Sequence, residues 1–154
     1  MKADIKLLKK LREESGAGIA DCRKALEESA NDYKKAVEWI KKHGIEKAAK
    51  KSDRETSQGL VEAYIHQGGK VGAMIEITCE TDFVARTDDF KNLAHEVAMQ
   101  IAAMNPKDVP SLLKQEYIRD ASIKIEDLVK QAIAKLGENI VVRRLTRYEL
   151  DAND

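Results

Sequence analysis

An α+β fold is what the sequence predicts: three short helices, then a small antiparallel sheet packed by helices. Apolar residues recur at helical spacing up to residue 43, alternate strictly from residue 61, and return to the helical period from residue 88. The composition agrees. Charged residues make up 35% of the chain against a usual value of about 25%, and only eight glycines and two prolines interrupt it. Few breakers and many charges describe a helix-rich chain with a solvated surface. They exclude disorder, collagen and mucin-like stalks.

The first helix carries Ile5, Leu8 and Leu11, with Leu7 beside them, and breaks at Ser15-Gly16-Ala17-Gly18. Ile19, Cys22, Ala25 and Leu26 mark the apolar face of a second helix, closed near Ser29-Ala30. Asn31-Asp32 is a start signal for a third, which carries Tyr33, Ala36, Val37 and Ile40, with Trp39 nearby. His43-Gly44 reads as its stop. Helices this short are not stable singly and must pack on one another. Residues 1–53 are therefore expected to form a three-helix module with a basic linker, and 54–154 an α+β core domain. The basic stretch from Lys41 to Arg54 reads as a solvated linker-helix face.

In the core, Val61, Ala63 and Ile65 alternate with Glu62, Tyr64 and His66, which places the first set on a buried strand face. Gln67-Gly68-Gly69-Lys70 is a hairpin loop. Val71, Ala73, Ile75, Ile77 and Cys79 line the inner face of the next strand. Asp88 is the expected N-cap of a long helix with Phe90, Leu93, Ala94, Val97, Ile101 and Met104 on one side, ending near Asn105-Pro106. A turn over Pro106 to Pro110 and a helix from Ser111 through Tyr117 and Ile118 follow. Ile125, Leu128, Val129, Ala132, Ile133 and Leu136 make a further helix, stopped by Gly137. Asn139 to Leu150 reads as a last strand, with Ile140 and Val142 on one face and Val141 and Leu145 on the other.

Several function classes fall away. Lys+Arg and Asp+Glu are both 27, so bulk electrostatic binding to nucleic acid or anionic lipid is not expected. The basic stretch has no interleaved aromatics to stack on bases. No apolar run approaches the roughly 20 residues of a membrane span. Met1 to Lys6 shows no apolar signal core, so a reduced, cytoplasmic setting is expected for Cys22 and Cys79. Both cysteines lie on apolar faces and read as core. His43, His66 and His95 have no metal-ligand spacing. No P-loop, dinucleotide fingerprint or nucleophile elbow is present. Neither an enzyme nor a bound cofactor is expected.

One segment stands apart. Thr81-Asp82-Phe83-Val84-Ala85-Arg86 joins a strand to a helix and sets a carboxylate beside a large aromatic. Loops on a rigid scaffold often carry function, and an aromatic displayed there would anchor an interface. From residue chemistry alone the plainer expectation is that Phe83 plugs the core and Asp82 caps a turn.

Four stretches together resemble the elongation factor Ts family. Lys10-Leu11-Arg12-Glu13 leads into Gly16-Ala17-Gly18-Ile19-Ala20-Asp21-Cys22-Arg23-Lys24-Ala25-Leu26. His43-Gly44-Ile45 leads into Lys47-Ala48-Ala49-Lys50-Lys51. Cys79 to Arg86 is the third, and Ile133 to Arg144 the fourth. They span nearly the whole chain in the family order. The resemblance implies a nucleotide exchange factor whose partner is elongation factor Tu, in its GDP-bound and nucleotide-free forms. It implies an N-terminal module of ubiquitin-associated type that touches the partner's nucleotide-binding domain. The matching positions here are Gly18, Ile19, Ala20, Asp21 and Cys22. It also implies that Asp82 and Phe83, flanked by Thr81 and Val84, intrude between two helices of that domain near its magnesium site.

The departure is length. Many members have a core of two related halves and a protruding coiled coil, whereas Pro106 to Ile125 leaves room here for about one helix. A single half-core leaves sheet surface or edge to cover; shorter members of the family cover it by pairing two copies, so the resemblance implies a homodimer. A competing reading is a ubiquitin-associated-type binding module without exchange activity, with Tyr33 and Trp39 as contacts instead of core.

Overall fold

The computed structural model describes residues 1–151. The last three residues of the expected 54–154 core domain lie outside that range. The architecture is α+β, as the sequence predicts.

Three helices come first: α1 (Ile5–Ser15), α2 (Ile19–Glu28) and α3 (Tyr33–Ala49). Asp4 caps α1 by accepting from the Lys6 and Leu7 amides, and Gly16 closes it in the left-handed region at φ 67°. Asp32 caps α3 through the Lys35 amide. Leu11, Cys22, Ala25, Leu26 and Ala36 form a separate small core, with Leu7, Leu8, Val37, Trp39 and Ile40 packed around it. Ile5, expected on this face, is exposed.

Gly44 does not stop α3, which runs on to Ala49. An internal helical glycine costs about 1 kcal/mol relative to alanine. Here it allows a close helix contact: a Cβ at Gly44 would lie 3.2 Å from the Ala134 Cβ on the helix opposite. That helix is α7 (Ile125–Leu136), and Ala48, one turn further along α3, joins the core of the second unit.

The second unit is built on a three-stranded antiparallel sheet of order β1-β2-β5, with β1 (Gln58–Ile65), β2 (Val71–Cys79) and β5 (Ile140–Glu149). Between β2 and β5 come α4 (Asp82–Ala85), α5 (Asp88–Met104), α6 (Val109–Lys114), the short strands β3 (Glu116–Tyr117) and β4 (Asp120–Lys124), and α7. β2 follows its pattern: Ala73, Ile75, Ile77 and Cys79 are buried. α5 lies across the inner face of β1 and β2 and buries Phe90, Leu93, Ala94, Val97 and Ile101. Its N-cap is Thr87, whose hydroxyl accepts from the Phe90 amide, and not Asp88. Asp88 and Asp89 sit in the first turn, where the helix dipole favours negative charge. Gly137 ends α7 at φ 78°, as expected.

Three further expectations are corrected. β1 turns its other face inward: Leu60 and Tyr64 pack on the core, while Val61, Ala63 and Ile65 face solvent. Both parities of this strand carry apolar residues, so alternation alone does not choose a face. Gly59 helps seat the strand: at φ 149° its Cα approaches β2 so closely that a Cβ would lie 2.1 Å from the Ile77 carbonyl oxygen.

In β5 a register shift opposite Glu76/Ile77 skips Arg143, pairing Ile77 with Val142 and Ile75 with Leu145. The bulge brings Leu145 to the same face as Ile140 and Val142, against strict alternation.

Tyr117 and Ile118 are not helical. They begin the β3–β4 hairpin, which buried Gln100 of α5 fixes. Its amide donates to the Glu116 carbonyl at 3.0 Å and its oxygen accepts from the Ile118 amide at 3.0 Å.

Candidate functional site

β2 ends at Cys79, and the chain must turn at once to enter α5. α4 is that turn, a single helical turn of four residues. Thr81 is its N-cap: its hydroxyl accepts from the Val84 amide at 3.3 Å. The capping residue is thus Thr81, and Asp82 follows it as the first helical residue. Val84 and Ala85 take the inward positions and are buried, so the neighbouring Phe83 points outward. The residue is 83% exposed, the opposite of a core plug. Phe90, at the start of α5, is 0% exposed and does fill the core.

Asp82 is exposed and pairs with Arg86 across one helical turn, Oδ2 to Nη2 2.8 Å. Beneath the turn, the Glu138 carboxylate accepts from both the Thr81 amide (2.9 Å) and the Thr81 hydroxyl (2.7 Å). The Glu80 carboxylate accepts from the Asn139 amide at 2.8 Å and lies 3.5 Å from Arg54. Glu138, Asn139 and Glu80 had no assigned role at the level of sequence, although the first two lie within the C-terminal motif. Burial pushes the Cys79 thiol above its ordinary value, which keeps it protonated and unreactive at neutral pH.

The N-terminal positions divide. Gly18 is the N-cap of α2, and Gly18, Ile19 and Ala20 are exposed. Ile19 shows 49% of its surface. Asp21 is half-buried, pairs with the Lys47 ammonium and lies 3.6 Å from His43 Nε2. Cys22 is 0% exposed inside the small core, as its apolar face predicts, so the partner contact that the resemblance implied for it is corrected: it has no surface to offer. Burial raises its thiol as well. Beside these residues a half-open groove of about 450 Å³ runs between α1, α3 and α7, lined in part by Leu11, Ala17, Ile40 and Ala134. Tyr33 and Trp39 are half-buried against the small core. Their polar ends are tied to Glu14 and Glu28, the latter at 2.6 Å.

Among the described residues no His, Cys, Asp or Glu cluster is arranged to hold a metal ion, and no helix is long and apolar enough to cross a membrane. What the surface does present is a capped, anchored turn with a bare aromatic at its tip. Exposed aromatics of this kind are common anchors of protein interfaces.

Comparison with known proteins specifies the class. The family model described as elongation factor TS matches residues 80–154, which begin at the α4 turn. The elongation factor Ts of Herpetosiphon aurantiacus is 41% identical, with 99% of this chain and 100% of the relative aligned. That of Coprothermobacter proteolyticus is 44% identical over 97% of this chain and 99% of the relative. That of a Nostoc species is 50% identical over 94% of this chain but only 46% of its own length. The chain belongs to the elongation factor Ts family of translation elongation factors. The Herpetosiphon alignment runs over 198 residues, more than the 154 of this chain, so part of the relative has no counterpart here.

Proposed function

We propose that this protein is a guanine nucleotide exchange factor without chemistry of its own, acting in the cytoplasm on elongation factor Tu. The observation that carries the reading is the outward Phe83 on the anchored α4 turn. An exchange factor must bind the empty GTPase better than the filled one. By linkage, the factor by which nucleotide weakens its grip equals the factor by which it weakens the nucleotide's. A binder with no preference shifts nothing.

Phe83 supplies that preference. Burying a phenylalanine side chain contributes roughly 1.5–3 kcal/mol. If its pocket exists only when two helices of the partner separate, that energy favours the open, nucleotide-free state. Asp82 acts second, as a hard acceptor brought near the magnesium ion's water shell. Its pair with Arg86 is exposed, so giving it up costs little. Ile19 and its neighbours on the N-terminal module add affinity outside the nucleotide site.

A second copy of this chain is the proposed occupant of the outer sheet face. Val61, Ile65, Met74 and Tyr148 are exposed there, and β1 and β5 are both open edges. The unmatched portion of the longer relatives fits a core that covers such a face internally. Release of fluorescent GDP from elongation factor Tu, with and without this chain, tests the exchange reading, with acceleration expected. An unchanged rate overturns it. The mass of the chain in solution tests the pairing, with twice the monomer mass expected.

A further inference from the structure

The turn that carries Phe83 is held from a distance. α4 has four residues, too few for a helix to persist by its own hydrogen bonds. Val84 and Ala85 anchor it from below, but its start depends on Thr81. The Thr81 hydroxyl has one proton, which it gives to Glu138 Oε2. Its lone pairs are then free to accept from the Val84 amide. Glu138 Oε1 meanwhile takes the Thr81 amide. A single carboxylate thus fixes both the backbone entry and the rotamer of the cap. A reciprocal bond runs beside it, from the Asn139 amide to Glu80. These clasps close the end of the β2–β5 ladder, where Cys79 pairs with Ile140. Charge-assisted bonds of this kind are roughly twice as strong as neutral ones.

We infer that Glu138 is a positioning residue for nucleotide exchange: its two-pronged grip on Thr81 holds α4 in one conformation, so that Phe83 reaches the partner already aimed. This rests on the reading of Phe83 as the inserted group. A ring on a fraying turn must be ordered during insertion, and that ordering subtracts from the binding energy available to open the partner. A ring on a fixed turn delivers it in full. The effect falls on the step after docking, because Glu138 lies beneath the turn and is not itself the inserted group.

The test uses the full chain with four substitutions: Glu138→Ala, Glu138→Gln, Glu138→Asp and Phe83→Ala. In the free protein, amide hydrogen exchange at Val84 should speed up about tenfold in Glu138→Ala while Ile75 and Ile77 in β2 stay unchanged. With the partner GTPase, Glu138→Ala should lower the maximal rate of GDP release about five- to tenfold and leave the half-saturating concentration within about twofold. Glu138→Gln keeps one acceptor, for the Thr81 amide, but loses the charge and the acceptor for the Thr81 hydroxyl, and should restore the maximal rate in part, to a value between alanine and the wild type. Glu138→Asp is too short to reach both groups and should behave like alanine. Equal losses in glutamine and alanine variants would reduce Glu138 to a general stabiliser and overturn the inference. A wild-type maximal rate in Glu138→Ala, with Phe83→Ala slowed, would overturn it while leaving the exchange reading intact. A wild-type rate in Phe83→Ala would remove Phe83 as the inserted group and the positioning role with it, while exchange itself is judged by whether the wild-type chain accelerates release.

Discussion

The chain contains two phenylalanines, seven positions apart, and the structure assigns them opposite fates. Phe90 is 0% exposed beneath the sheet and Phe83 is 83% exposed. Truncating each to alanine should therefore separate stability from function. Phe90→Ala removes a ring from a packed core and leaves a cavity, at a cost of about 3–5 kcal/mol. For a domain of this size each kcal/mol moves the thermal midpoint by about 2–4 °C, so a fall of roughly 6–20 °C is expected. Phe83→Ala removes almost no intrachain contact and should stay within about 0.5 kcal/mol of the wild type. Thermal and urea unfolding followed by far-ultraviolet circular dichroism measure both. Comparable losses in the two variants would mean that the Phe83 ring packs inside, and the reasoning from its exposure would fail.

Two further outcomes follow from other parts of the surface. Ile19→Asp should weaken binding to elongation factor Tu about tenfold, by loss of apolar burial, without lowering the maximal exchange rate; titration of the rate against factor concentration separates the two, and a reduced maximum with unchanged affinity would contradict the division of labour. Burial first, then the Glu96 carboxylate that accepts its hydrogen bond at 2.5 Å, push the Tyr117 hydroxyl up to about 12. The folded value exceeds the unfolded one of about 10, so this bond's contribution is intact below that pH and lost as pH rises towards the folded value. The difference in phenolate absorbance between wild type and Tyr117→Phe should appear as one step near 12, and a step at the ordinary tyrosine value would refute the buried pair.

Much of the fold was legible because single elements declared themselves. β2 has one apolar parity, α5 one apolar face, and α7 a glycine stop that the structure places in the left-handed region. Several of the misreadings share one cause: the deciding partner was remote. β1 is apolar on both parities, and only its pairing with β2 chooses Leu60 and Tyr64 for the core. Gly44 looked like a stop, but the nearby Ala134 on another helix explains it as a close contact. The helix expected from Ser111 forms as α6 but ends at Lys114, because Gln100 of α5 captures the backbone of Glu116 and Ile118 and the β3–β4 hairpin takes over. At the site, the motif Thr81 to Val84 was readable, yet the direction of Phe83 was not, since the next two residues take the buried places. Cys22 read as core from its apolar face and is core; only the motif match grouped it with exposed neighbours, because a motif does not say which member faces inward. Glu138 escaped notice because it reaches Thr81 across 57 residues of sequence.

The most direct test of the central claim is the maximal rate of GDP release from elongation factor Tu at saturating Phe83→Ala, compared with the wild-type chain. Loss of roughly 1.5–3 kcal/mol of burial predicts a fall of about ten- to a hundredfold in that rate, with the variant still folded. A folded variant that releases GDP as fast as the wild type would contradict the account.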